Sequence, residues 1–320
     1  MFNEEAQRRC HRVHLFFPQE ALFGFRDDLL CGLVRASRHF KRCRCGLTVR
    51  HGFGPMATAG ASSFQLFSLK DDPDGLWVAE EDGELAGFAW SWVCGDVWFL
   101  AQLFVDPVRQ GQGIGNELLE RTMEHARRLG TAHKALITFT FNRVSQGLYM
   151  RHGLFPRMPI YFFSAACERV MPGLPESPLR AVPIDESLAT MEKLVAIDSG
   201  AIGVSREKHH RYLREDPATA GFLLYDGSDC VGYGYTNASG HIGPLAVARS
   251  GRLGDAFATA LKLAADRGAE KISAFLPGNC DGALSLAVNQ GMRITFPMLL
   301  MASPGYGDWT QYLPRNPGFM

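Results

Sequence analysis

The sequence predicts an α/β (α+β) fold built twice on one chain, each copy a mixed, mostly antiparallel sheet flanked by helices. Three observations predict it. An apolar run rich in β-branched and aromatic residues, Val97–Val105, stops at Asp106-Pro107, and a glycine-rich turn then opens an amphipathic helix. Short strands and helices alternate on both sides of that run. Finally, Gly113, Gly130 and Gly153 recur 138 residues later as Gly251, Gly268 and Gly291, with the apolar spacing between them in step.

The elements follow in order. Residues 1–60 crowd Arg, Cys and His with little clean periodicity, and Leu47–Arg50 reads as a strand. Cys10, His11, His14, His39, Cys43 and Cys45 invite a metal reading, yet no Cys-x-x-Cys pair gives the spacing zinc sites carry, so no metal is expected. Asp72-Pro73-Asp74-Gly75 is a turn. Leu76–Glu80 and Leu85–Val93 form a hairpin across 81–84, with Phe88, Trp90 and Trp92 on one face at period two. After the central run, a helix is expected from Gly115 to about Leu129. Leu118, Leu119, Met123 and Ala126 supply its apolar stripe, and Gly130 ends it. Ala135–Phe141 is a strand, Asn142 caps a helix that stops at His152-Gly153, and Leu154–Ser164 closes the first copy.

The proline-rich stretch 171–178 reads as a connector. It divides an N-terminal domain, 1–170, from a C-terminal copy, 179–320, where Phe222–Tyr225 and Val231–Tyr235 echo the first hairpin. The chain is long enough for two domains of about 150 residues. Lys plus Arg balance Asp plus Glu at 33 each, which gives no electrostatic reason to expect nucleic acid or an anionic membrane. No apolar stretch reaches membrane-spanning length, and MFNEEAQRRCHR has no signal-like apolar core. Eight scattered cysteines suit reduced thiols, so a cytoplasmic location is expected.

The turn Gln110-Gly111-Gln112-Gly113-Ile114-Gly115 is where chemistry concentrates. Glycines permit φ > 0, so successive N–H groups can point at one spot, at a helix N-terminus whose first amides lack partners. A strand, such a turn and a helix make an anion cradle suited to a pyrophosphate. It is not a Walker loop, because no Lys-Ser or Lys-Thr follows. Its Gly-x-Gly-x-Gly spacing, with no acidic residue about 20 positions on, fits a dinucleotide fold poorly.

The turn resembles the acetyl-CoA loop of the GCN5-related N-acetyltransferase (GNAT) superfamily, Gln/Arg-x-x-Gly-x-Gly/Ala, with Gln110, Gly113 and Gly115 filling the pattern behind a strand and Val105-Asp106-Pro107. Asn142 to Leu154 resembles that family's second motif, an Asn ending a strand followed by Leu-Tyr-x-x-x-Gly-Phe on a helix. The resemblance covers 70–165 well and 179–302 moderately. It implies that Gln110, Gly111, Gln112, Gly113, Ile114 and Gly115 hold the pyrophosphate of acetyl-CoA, with no metal. It also implies that the backbone of Leu103, Phe104 and Val105 pairs with the pantetheine arm and polarises the thioester carbonyl, and that Asn142 contacts a pantetheine amide. Tyr149 falls on the motif's tyrosine, and a phenol protonated at neutral pH can give a proton to a leaving thiolate.

No general base is legible. Gln102 stands where some relatives carry a carboxylate, which leaves Glu80, Asp96 or a water chain. Trp90, Trp92, Trp98, Tyr161 and Phe162 are candidates to line an acceptor pocket. In the second copy the offset of 138 replaces Gln110, Gly115 and Tyr149 by Ala248, Leu253 and Ala287, so that copy is expected to be catalytically silent. The resulting expectation is an N-acetyltransferase for a small-molecule amine, acting in a ternary complex, with a homodimer left open. The alternatives are an acetyl-CoA-binding regulatory module without turnover and an acetyltransferase for a protein N-terminus or lysine.

Overall fold

A computed structural model of the chain describes residues 41–42, 48–51, 63–81 and 84–320. The cysteine and histidine cluster weighed for a metal, and the tip of the first hairpin at 82–83, lie outside the described residues.

The first half runs β1 (Lys41–Arg42), β2 (Thr48–His51), α1 (Ser63–Asp71), β3 (Leu76–Glu81), β4 (Glu84–Cys94), β5 (Val97–Val105), α2 (Ile114–Arg128), β6 (His133–Phe139), α3 (Arg143–Arg151) and β7 (Phe155–Ala166). After a short α4 (Cys167–Val170), the second half runs β8 (Arg180–Pro183), α5 (Leu188–Ile202), α6 (Glu207–Glu215), β9 (Thr219–Asp226), β10 (Asp229–Asn237), β11 (His241–Val247), α7 (Leu253–Asp266), β12 (Lys271–Pro277), α8 (Asp281–Asn289), β13 (Arg293–Ala302) and β14 (Tyr312–Leu313). The two orders match from β3 and β9 onward. Gly130 and Gly268, with φ of 68° and 82°, end α2 and α7, and Gly153 and Gly291, at 80° and 72°, follow α3 and α8.

The halves do not form separate sheets. One continuous sheet runs β1-β2-β3-β4-β5-β6-β13-β7-β12-β11-β10-β9-β8, antiparallel except at β5–β6 and β11–β12. Each half sends its last long strand into the other. β13 of the second half lies on β6, with Met298 opposite Phe139, and β7 of the first lies on β12, with Phe162 opposite Phe275. β7 and β13 then pair with each other from Phe155 to Ser164. The exchange leaves neither half with an unpaired inner edge, whose exposed N–H and C=O groups would need other partners.

Side chains alternate along β5. Val97 and Phe99 enter a core that joins both halves, where Phe64, Trp90 and Trp92 meet Leu194, Ile197, Tyr233, Tyr235, Trp309 and Phe319. Trp98 and Leu100 face the other way, onto α2 and α3, with Leu119, Leu136, Leu148 and Tyr149. The sheet therefore has a helix-covered face and a face shared between the halves.

A polar pair not read from the sequence fixes the far end of α2. His125 Nε2 lies 2.7 Å from Asp72 Oδ1, and Asp72 Oδ2 accepts from the Val93 N–H at 2.7 Å. The turn at Asp72 thus ties α2 to β4, and both residues are buried.

Candidate active site

β5 and β6 pair in parallel from Val97–His133 to Leu100–Leu136, and the pairing stops there. The register of β4 and β5 shifts at the same place, with Trp90 opposite Gln102 but Ser91 opposite Leu100, so Ala101 is the extra residue of a bulge. From the bulge onward β5 turns away from β6, and its burial drops from full over Val97–Leu100 to partial over Ala101–Val105. Leu103, Phe104 and Val105 keep their pairing to Ala89, Phe88 and Gly87 on one edge, and on the other the pairing to β6 has ended.

The loop after β5 faces that opening. Asp106 caps the short 3-10 turn Pro107–Arg109 by accepting from the Val108 N–H at 3.1 Å. Gln110 Nε2 donates to Val105 O at 3.1 Å, so this side chain fastens the loop to the strand end. Gly111 and Gly113 have φ of 82° and 87°, a conformation L-residues rarely adopt, and a Cβ at either would meet nothing within 4 Å. Gly115 is different. Its φ is not positive, and a Cβ there would sit 3.5 Å from Val105 Cγ2 and 3.7 Å from Leu148 Cδ2, in the gap between strand end and α3. Among the described residues, none accepts a hydrogen bond from the backbone N–H groups of 110–115. Gln110 to Gly113 are exposed, Ile114 is buried beneath them, and the loop opens onto the N-terminus of α2. N–H groups at a helix N-terminus without partners among the described residues fit a phosphate-bearing ligand.

α3 closes the arrangement. Asn142 Oδ1 accepts from the Ser145 N–H at 3.2 Å, so it caps the helix. Gln146 Nε2 donates to Phe139 O and Thr140 O, holding α3 to the end of β6, and His152 Nε2 lies 2.9 Å from Asn116 Oδ1 of α2. Tyr149 is buried in the helix-side core with Trp98 and Leu119. Burial pushes its phenol up to about 12, against a smaller opposing effect of the Ser145 hydroxyl. The phenol therefore keeps its proton throughout the physiological range.

The structure separates the two carboxylates considered as bases. Asp96 is exposed in the turn before β5, seven residues and roughly 23 Å of extended strand from Leu103. Glu80 lies at the end of β3 beside the opened edge, since its neighbour Ala79 pairs with Gly87, which pairs with Val105. Two inter-strand spacings, about 10 Å, separate it from β5. Gln102 is held by α1, where Gln65 Nε2 donates to Gln102 Oε1 at 3.2 Å. The five aromatics do not form one pocket. Trp98 faces the helices, Trp90 and Trp92 are buried in the core between halves, and Tyr161 and Phe162 lie on β7 against β12 of the second half.

The second half adds an imidazole to the core beneath the first half's sheet. The imidazole of His209, from α6, packs edge-on against Trp92 at 4.6 Å and against Phe64 at 5.5 Å. Its buried Nδ1 has no partner among the described residues, and burial, reinforced by Arg206, holds its pKa well below the ordinary value. No residue spacing signals such a contact, because the partners are more than a hundred positions apart.

The second half departs from the first at the equivalent turn. Residues 248–252 replace 106–113, and Gly251 lies in a 3-10 turn without positive φ. Leu253 begins α7 as Ile114 begins α2, so Gly254 and not Leu253 is the counterpart of Gly115. The offset of 138 fails across this loop and resumes at Gly268, and it places Ala287 of α8 opposite Tyr149. Asp198 lies fully buried on the core face of this half, held by Arg206 Nε at 3.2 Å, His210 Nε2 at 2.9 Å and the Tyr233 hydroxyl. Among the described residues no group of three or more His, Cys, Asp or Glu could hold a metal ion, and no helix is long and apolar enough to cross a membrane.

A strand with a bulge, a glycine turn whose N–H groups have no partner among the described residues, and a capped helix bearing a buried tyrosine thus come together within residues 97–154. Residues 48–154 match the acetyltransferase (GNAT) family. The mycothiol acetyltransferase of Thermomonospora curvata is 38% identical over 82 residues, 24% of this chain and 27% of that protein. The curated relatives are each matched over about half their length or less. A candidate acetyltransferase from Pyrococcus horikoshii shares the fold over 89% of this chain and 100% of its own, with TM-score 0.66 and 18% identity. A tandem GNAT protein from the clavulanic acid biosynthesis pathway aligns over 77% of this chain and 89% of its own, with TM-score 0.51 and 14% identity.

Proposed function

We propose that this protein is an acetyl-CoA-dependent N-acetyltransferase acting on the amine of a small molecule by direct transfer, with the chemistry in its first half. The observation that carries the reading is the divergence of β5 from β6 after Leu100, directly beneath a loop whose N–H groups have no partner among the described residues. Acetyl-CoA would supply an activated acyl group as a thioester.

The roles follow from position. The N–H groups of Gln110 to Gly115 would hydrogen-bond a pyrophosphate, and the backbone of Leu103–Val105 would pair with an amide-bearing arm and polarise the thioester carbonyl. Asn142, besides capping α3, would contact an amide of that arm. In the transfer a C–N bond forms and the C–S bond breaks. The amine proton leaves through water to Glu80, the carboxylate at the opened end of the sheet. Tyr149, whose burial keeps its phenol protonated, gives its proton to the departing sulfur. A small acceptor is favoured over a protein tail because the balanced charge of the chain offers no pull toward basic segments.

The test is calorimetry with acetyl-CoA on the wild type and Gly113→Glu, with thiol release assayed against a panel of primary amines for wild type and Tyr149→Phe. Gly113 is exposed and its Cβ position is open, but its φ of 87° strains any side chain. The glutamate should therefore cost about 1–2 kcal/mol of stability while repelling phosphate, and thermal unfolding of the variant checks that the fold is retained. Micromolar binding lost in Gly113→Glu, with amine-dependent release that falls in Tyr149→Phe, is the expected result. Binding without turnover on any amine would favour the regulatory module. Absence of binding would remove the loop as a cofactor site.

A further inference from the structure

Both halves open their sheet at the same place. β5 and β11 each end in Leu-x-Val, Leu103–Val105 and Leu245–Val247. Each final valine stands opposite a glycine of the preceding strand, Gly87 or Gly232. A Cβ on either glycine would lie 2.6 Å from the carbonyl oxygen of the residue before the valine, Phe104 or Ala246. β11 pairs with β12 only at His241 and Ile242, so Leu245–Val247 is the second half's counterpart of the open edge.

What lies against that edge differs. In the first half no strand of the described residues pairs with it. In the second, β14 runs antiparallel along it, with Leu313 opposite Leu245 and Tyr312 opposite Ala246, and the Val247 N–H donates to Gln311 O at 2.9 Å. Tyr312 and Leu313 are fully buried. The segment is held on both sides. Cys280 Sγ donates to Trp309 O, Arg206 lies 4.9 Å over the Tyr312 ring, and Arg315 donates to Gly243 O and Thr219 Oγ1, each at 3.1 Å. Beyond it the chain reaches the first half's bulge. Gly318 O accepts from Trp92 Nε1 at 2.9 Å, a Cβ on Gly318 would be 3.7 Å from Ala101 Cβ, and Phe319 packs 4.1 Å from Phe64.

We propose that residues 311–313 are a built-in occupant of the second half's acyl-CoA slot, leaving one acyl-CoA site per chain, in the first half. The proposal rests on the reading of Leu103–Val105 as a cofactor edge given above. A strand backbone carries amides at the spacing an edge strand demands, so it satisfies the same donors and acceptors as an amide-bearing arm. Being tethered, it competes at an effective concentration a free ligand does not reach. The shortened turn 248–252 removes the anion cradle in the same half, so displaced tail and lost turn point one way. The slot has become a socket that seats the C-terminal segment against the first half's strand.

The experiment combines coenzyme A titration with hydrogen exchange on the full chain, using wild type, Gly113→Glu and Gly251→Glu. Gly251 has nothing within 4 Å of its Cβ position and no positive φ, so its glutamate places the same charge in the second half's turn without the backbone strain that φ of 87° imposes at Gly113. The expected result is one coenzyme A per chain, abolished by Gly113→Glu and unchanged within two-fold in Gly251→Glu. In the ligand-free protein the Val247 amide should exchange at least about 100-fold more slowly than those of the exposed 110–113 loop. Two coenzyme A per chain, loss of a site in Gly251→Glu, or fast exchange at Val247 would overturn the proposal. Failure of the wild type to bind at all would refute the proposed function instead, while slow Val247 exchange would still support β14 as the occupant.

Discussion

Replacing Gly115 by alanine should separate stability from ligand binding. Gly115 is in the first turn of α2 with a φ any residue adopts, and an added methyl would meet Val105 Cγ2 at 3.5 Å and Leu148 Cδ2 at 3.7 Å, ordinary contact distances. Glycine costs about 1 kcal/mol relative to alanine in a helix interior and less in its first turn, so Gly115→Ala should stabilise the ligand-free protein by about 0.5 kcal/mol. In a chain of this size that raises Tm by about 1 °C. The same methyl projects into the gap between the opened strand and α3 and blocks close approach of a ligand to the Gly115 N–H. Losing one charge-assisted hydrogen bond costs about 1.5–3 kcal/mol, which is roughly 10- to 150-fold in coenzyme A affinity. Gly111→Ala and Gly113→Ala are the contrast. Both have φ above 80°, so each should destabilise by about 1–2 kcal/mol with no clash to relieve. Differential scanning calorimetry with isothermal titration reads both quantities. A Gly115→Ala protein that binds coenzyme A like wild type, or that loses as much stability as Gly113→Ala, would refute the assignment of Gly115 to ligand approach rather than to backbone conformation.

Three further outcomes are expected. Tyr149→Phe should leave coenzyme A affinity within about two-fold and lower kcat by about 10²-fold or more; because the wild-type phenol titrates near 12, the kcat profile should show no loss from this group between pH 7 and 10. Asp198→Asn leaves the Arg206 guanidinium buried beside a neutral amide and should cost about 3–5 kcal/mol in urea unfolding, against a near-neutral effect of substituting exposed Asp96. The wild type should lose stability in acid: burial lowers His241 to about 4, so the unfolded chain takes up a proton below about 6.5 that the folded chain refuses until about 4. Its contribution is complete above 6.5 and is lost as pH falls through that window, which urea midpoints at pH 7 and pH 4.5 will show; an unchanged midpoint would contradict the burial of this imidazole.

The local parts of the candidate site were readable because they depend on neighbours in sequence. β5 has the bounds its apolar run predicts, Pro107 ends it, and Gly111 and Gly113 take the positive φ that a glycine turn suggests. α2 begins one residue before the expected position and ends at the glycine expected to stop it. Asn142 caps α3, as an Asn before a helical pattern should. The bulge at Ala101 was not legible, since a bulge is defined by pairing register rather than by composition. Nor was the burial of Trp98 opposite that of Trp92. Six residues apart and on different strands, their faces are fixed only once register is fixed.

The sequence by itself determined which stretches become strands, turns and helices, which loop presents free N–H groups, and that the plan is repeated, because each of these follows from local periodicity and backbone preference. Only the tertiary structure decided how the repeats combine. The exchange of β7 and β13 into a single sheet, the separation of Glu80 from Asp96 by the length of a strand, and the seating of Tyr312–Leu313 on the second half's open edge all join residues tens to hundreds of positions apart. Strand edges carry the same N–H and C=O pattern whatever their side chains, so a sequence shows that a strand exists without showing which neighbour will satisfy it.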